Sequence, residues 1–162
     1  MQEQKTPYFP LFINLTGKKI LFVGFGHVTM RRIRTLISFS PDIWVITREI
    51  RAEYQEEARR MKEKGLIHVL LKDFEEGDLQ CHPDIVIAAT EDNELNVYIG
   101  KLAKQEGALV NVASDASLCD FYFPAVASKE EITVGVTGNG RNHQKVAKVT
   151  EEIRHLLGNM QV

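Results

Sequence analysis

Residues 18–37 constrain the fold of this chain more than any other stretch. An apolar strand, Lys18-Lys19-Ile20-Leu21-Phe22-Val23, leads into Gly24-Phe25-Gly26-His27-Val28-Thr29, and a helical pattern starts near Met30. A strand that turns through glycines into a helix start is a phosphate-binding device, because the first free N–H groups of the helix and its positive dipole end face the turn. Gly24 permits the tight turn, and Gly26 has no Cβ to hold a pyrophosphate away from the backbone. Thr29 stands where the dinucleotide fingerprint favours glycine or alanine, so strain is expected at the helix–strand contact.

The chain continues to alternate. Apolar or β-branched strands are expected over 42–47, 66–71, 84–90 and 108–112, with helices over 30–39, 52–64 and 93–106. Strands that are apolar on both faces belong to parallel sheets covered by helices on each side. The expected fold is therefore a Rossmann-like, doubly wound α/β domain over 1–115. After that the rhythm changes to strands over 121–128 and 132–137 and a helix from 143 to 157 that stops at Gly158. A link of three residues permits only an antiparallel hairpin. The resulting β-β-α region, 116–162, is too small to stand alone and needs the first domain or another chain to cover it.

A chain of 162 residues can bury on the order of 70% of its unfolded surface. A net charge of −2 supplies no general attraction to nucleic acid or an anionic membrane, and neither is expected as a partner. Cys81, at the start of an expected strand, and Cys119, in a loop, read as free thiols. The five histidines make no i, i+4 pair, and no metal site is expected. The N-terminus shows no basic region followed by an apolar run, so the expected location is the cytoplasm.

In open α/β sheets ligands sit outside the carboxyl ends of the strands. The candidates for dinucleotide contact are accordingly Gly24, Phe25, Gly26, His27 and Val28 at the first turn, with Thr47, Arg48 and Glu49 after the second strand. Thr90 at the end of the fourth strand and Asn111 in the fifth complete this set, Thr90 being a candidate N-cap as well. An acid after the second strand would suit NAD and a base NADP; Arg48 and Glu49 point in opposite directions. Arg141, Lys145 and His143, at the opening of the last helix, are candidates for holding carboxylates.

Several runs occur together: Tyr8-Phe9-Pro10-Leu11-Phe12, Val23 to Val28, Arg31-Arg32, Ile87 to Asp92 with Asn96, Val110-Asn111-Val112, and Leu118 to Pro124. In this order the chain resembles the precorrin-2 dehydrogenase family, the N-terminal part of siroheme synthases. The resemblance implies NAD-dependent dehydrogenation of precorrin-2 to sirohydrochlorin. It also implies a homodimer interlocked through the hairpin and last helix. The family's activity-linked aspartate falls on Ser114 in strict alignment, with Asp115 one residue later, so this pair is the implied catalytic position. The family's serine-proline pair before the last helix is replaced by Arg141-Asn142-His143. A non-catalytic dinucleotide sensor or tetrapyrrole carrier is the alternative, with ferrochelatase activity a less favoured addition.

Overall fold

The computed structural model describes residues 9–138 and 142–160. The chain divides into two compact units, Asn14–Phe121 and a second built from residues 9–13 and those from Tyr122 onward. The dividing point lies beyond residue 115 because the segment after the fifth strand folds back on it: Val110 N donates to Asp120 Oδ2 (2.9 Å) and Asp120 N to Val110 O (2.8 Å).

The first unit is a five-stranded, wholly parallel sheet in the order β3-β2-β1-β4-β5. Its strands are β1 (Lys19–Val23), β2 (Asp42–Thr47), β3 (His68–Leu71), β4 (Ile85–Ala88) and β5 (Leu109–Val112). Helices α1 (His27–Leu36), α2 (Ala52–Glu63) and α3 (Asn93–Gln105) form the crossovers. The expected Rossmann-like fold is thus the observed one. Leu21, Val23, Val86, Ala88, Val110 and Val112 pack one face of the sheet against Ile99 and Ala103 of α3. Alternation along the strands turns Ile20, Phe22, Ile87 and Asn111 to the opposite face. Burial on both faces is what an apolar parallel strand requires.

Several boundaries differ from expectation. Helix α1 starts at His27 rather than Met30, since Met30 N already donates to Gly26 O (3.0 Å). It gives way to a short 3-10 turn, Ile37–Phe39, before Ser40 enters the left-handed region (φ 53°). Cys81 ends a 3-10 turn, Glu76–Cys81, instead of starting a strand.

The second unit holds the antiparallel pair β6 (Ala125–Lys129) and β7 (Ile132–Val136) and helix α4 (His143–Asn159). Phe121 to Phe123 are not part of the strand; pairing starts at Ala125, after Pro124, which has no N–H to give a ladder. The turn is two residues, Glu130-Glu131, with Glu130 left-handed (φ 51°). Helix α4 passes through Gly158, so that glycine does not stop it.

Candidate functional site

Parallel strands deliver all five following loops to one edge of the sheet. The strand order reverses between β1 and β4, the switch point at which such folds open a crevice. A cavity of about 420 Å³ lies there. Its floor is the β1–α1 turn, and its walls come from the segments after β2, β3 and β4.

The turn itself explains the two glycines differently. Gly24 has φ +97°, and a Cβ there would lie 2.5 Å from Ala89 O, so both backbone conformation and the end of β4 exclude a side chain. A Cβ on Gly26 would meet nothing within 4 Å: it would project into open space, where an anion could approach the amides. Gly26 also caps α1 without a side-chain hydrogen bond, and no acid occupies the first turn. The helix start therefore offers unneutralised N–H groups. Thr29, the residue expected to strain this contact, also bonds across it. It is fully buried, and its hydroxyl donates to Gly24 O (2.9 Å), tying the helix to the turn where a glycine would leave that carbonyl unbonded by it.

Of the dinucleotide candidates, Gly24, Phe25, Gly26, Thr47, Arg48, Glu49 and Thr90 line the cavity. His27, Val28 and Asn111 do not. The His27 ring lies 3.0 Å (Nδ1) from Tyr54 Oη and so links α1 to α2. Thr47 is 8% exposed, and its hydroxyl donates to Glu49 O (2.8 Å). Asn111 Nδ2 donates to Phe121 O (2.9 Å), while its Oδ1 is buried without a hydrogen-bond partner.

Thr90 is not the N-cap of α3. Asp92 is, accepting from Leu95 N (3.0 Å). Thr90 is instead held by Asn96, which is 1% exposed: Thr90 N (2.8 Å) and Oγ1 (2.8 Å) donate to Asn96 Oδ1, and Asn96 Nδ2 donates to Thr90 O (3.0 Å). This clamp fixes the loop after β4 on the cavity wall.

Beside the candidates Arg48 and Glu49, the mouth carries Arg51, Lys72 and Asp73, which the sequence pattern does not single out. Arg48 pairs with Asp73 and Arg51 with Glu91, each bond joining two loops that line the cavity. Lys72 sits between Asp78 (3.0 Å) and Glu75 (3.3 Å). The carboxylate bonds push the Arg48 and Arg51 guanidinium groups above their usual range.

Ser114 and Asp115 follow β5 at the same edge but are not part of the cavity wall. Ser114 is exposed. Asp115 caps the 3-10 turn Ala116–Leu118, with Oδ1 accepting from Ser117 Oγ (2.6 Å) and Ser117 N (2.9 Å). Those bonds, the hydroxyl first, hold its carboxyl below the ordinary carboxylate range. Nearby, Val112 N approaches Cys119 Sγ at 3.2 Å, and burial pushes that thiol up. Arg31 is exposed, whereas Arg32 is half-buried, and burial followed by the neighbouring Arg31 charge pulls it down to about 10.

His143 and Lys145 lie exposed in the first turn of α4, where Lys145 N donates to Asn142 Oδ1 (2.8 Å). Arg141 lies outside the described residues. Among the described residues no cluster of His, Cys, Asp and Glu could hold a metal, and no helix is long and apolar enough to cross a membrane.

Residues 11–125 match the family described as putative NAD(P)-binding. A probable multifunctional siroheme biosynthesis protein from Ruminiclostridium josui is 40% identical over 149 residues, which is 91% of this chain and 28% of that protein. A siroheme synthase from Nitrosococcus oceani is 34% identical over 134 residues, 82% of this chain and 27% of the relative. Among solved structures, SirC, a precorrin-2 dehydrogenase, superposes with a TM-score of 0.72 at 25% identity, covering 92% of this chain and 71% of that one. The chain belongs to the precorrin-2 dehydrogenase and siroheme synthase family of NAD(P)-binding proteins. It spans under a third of the length of the curated family members quoted above. Asn96 is the family-pattern residue whose role geometry makes plain: it is a positioning residue for the loop after β4.

Proposed function

We propose that this chain binds NAD in the β1–β4 crevice and dehydrogenates precorrin-2 to sirohydrochlorin, a step of siroheme formation. The observation that carries the cofactor half is the cradle at Gly26, open to a depth of 4 Å and backed by an uncapped helix start. The residues present therefore fit a dinucleotide diphosphate. The substrate half rests on the likeness to SirC and to siroheme synthases.

Bound NAD supplies the hydride acceptor. The chain's own residues supply place and charge. The amides following Gly26 would hold the diphosphate, Thr47 to Glu49, on the cavity wall, would serve the adenosine ribose, and Thr90, fixed by Asn96, would serve the nicotinamide half. Loss of a hydride from the macrocycle requires loss of a proton, and Asp115, ionised and oriented by Ser117, is the base assigned to take it. Arg141, Lys145 and His143 are the groups assigned to the substrate's carboxylates. The second unit leaves Phe9 87%, Leu11 74% and Phe12 70% exposed, and a second copy of the chain is the cover proposed for them.

A carrier without turnover is the competing reading, favoured by the engagement of Asp115 with Ser117. Anaerobic incubation with precorrin-2 and NAD separates the two. Matched appearance of NADH and sirohydrochlorin supports the dehydrogenase, and NAD binding with neither product selects the carrier.

A further inference from the structure

The cavity mouth has a charge arrangement that bears on which dinucleotide it admits, an inference that rests on the NAD site proposed above. In this fold the adenosine ribose lies just beyond β2, where Thr47, Arg48 and Glu49 stand. Two arginines so close to that point would ordinarily suit a 2′-phosphate. Neither is available here, since Arg48 is bonded to Asp73 and Arg51 to Glu91. Lys72, the third cation of the wall, lies within 3.3 Å of both Glu75 and Asp78. Against these three cations the wall sets four carboxylates, Glu49, Asp73, Glu91 and Asp92, one negative charge in surplus.

We propose that Asp73 and Glu91 are specificity-determining residues: by occupying Arg48 and Arg51 they deny a 2′-phosphate its cations, and the cavity prefers the dinucleotide with a free 2′-hydroxyl. Exposed ion pairs are individually weak, so the bonds alone do not decide the matter. The lining charge does. A 2′-phosphate brings roughly −1.5 to −2 charges, and each arginine it recruits leaves a carboxylate unpaired beside it. A 2′-hydroxyl brings no charge and can donate to a carboxylate that remains paired. The diphosphate is unaffected, because it is addressed by the Gly26 amides on the cavity floor.

The test is calorimetric titration of the full chain with NAD and with NADP at fixed ionic strength. The variant Asp73→Asn/Glu91→Gln keeps the shape of both side chains and turns the surplus to one positive charge. Their side chains are 68% and 86% exposed, so the fold tolerates the change, and the single variant Glu91→Gln offers a second reading. The affinity ratio of NADP to NAD should rise about tenfold or more, the size of one charge-assisted hydrogen bond. Adding Arg48→Gln and Arg51→Gln to the double variant should return the ratio to its parental value, and rising salt should shrink the gain. A ratio within about twofold of the parent in both carboxylate variants overturns this inference and leaves the cofactor site standing. Binding of neither dinucleotide to the parent overturns both.

Discussion

The loop after β1 and the loop after β5 leave the same edge of the same sheet, yet they treat their polar groups in opposite ways. After β1 the backbone is left available: Gly26 caps α1 with no side chain, no acid neutralises the first turn, and open space lies in front. After β5 nearly everything is spent internally. Asp115 is bonded to Ser117, Asp120 to Val110 and Lys104, Cys119 to Val112, and Asn111 to Phe121. One loop leaves its backbone donors open, and the other is tied up by the protein's own bonds. A reacting group in the second loop must work while held, or be released when substrate arrives.

The largest expected effect breaks the first loop outright. Gly24→Asp combines a disfavoured φ with a 2.5 Å collision against Ala89 O, and the cost should be about 3 kcal/mol or more. Loss of the folded state in urea, or of NAD binding by calorimetry, is the expected result. Gly26→Asp is the sharper partner. Nothing stands within 4 Å of its Cβ, so the melting temperature should hold while NAD affinity falls at least tenfold, roughly 1.4 kcal/mol. If affinity held as well, the claim that this loop faces a phosphate would be wrong.

Asn96→Ala comes next. It removes the acceptor of Thr90 N and the donor to Thr90 O at a position 1% exposed, and about 2 kcal/mol of stability should go with it. Urea denaturation measures that loss. NAD should bind more weakly too, because the loop after β4 would no longer be held against the cavity. A stable variant with parental affinity would show that the clamp positions nothing.

How much of this was visible beforehand depends on distance along the chain. The strand, the glycines and the helix start are neighbours in sequence, so their joint meaning could be read locally. The parallel sheet followed from strands apolar on both faces, a period that burial on two sides enforces. Asn96 stood out only through the family resemblance, because an asparagine inside a helix carries no periodic signal; its bonds come from where the preceding loop crosses it. Asp73 and Glu91 acquire a role only once the order β3-β2-β1-β4-β5 places their loops beside Arg48 and Arg51. The His27 side chain shows how sequence adjacency differs from spatial adjacency. It is adjacent to Gly26 in the chain, but the first helical turn carries its ring toward Tyr54 of α2.

Thr29 gives a smaller effect and tests the fingerprint logic. Thr29→Ala loses one buried hydrogen bond to Gly24 O, worth about 1 kcal/mol. Thr29→Gly, though closer to the fingerprint, should be worse by about another 1 kcal/mol, since glycine weakens a helix relative to alanine. Thermal melting should therefore rank the parent above alanine and alanine above glycine. The reverse order would mean that the threonine crowds the helix–strand contact after all.

The smallest effect concerns Asp115 and bears most directly on the second loop. Its carboxyl titrates below the usual range because Ser117 Oγ, and then Ser117 N, bond the ionised form. A depressed folded-state pKa stabilises the fold only above the unfolded value near 3.9, and that contribution disappears as pH falls through the lower folded value. Near neutrality nothing should change. If Asp115 serves as the base while held by Ser117, the acidic limb of kcat/KM lies below about pH 4, and the profile is flat from there to neutral pH. Ser117→Ala removes the hydroxyl but keeps the backbone donor, so the carboxyl should move part of the way up toward its ordinary value. Carboxyl NMR titration reads that movement directly, and the acid limb should follow it. A limb that stays fixed while the Asp115 resonance shifts would take this carboxylate out of the proton transfer. It would leave the loop after β5 with a structural role alone, and the contrast with the loop after β1 would then be complete.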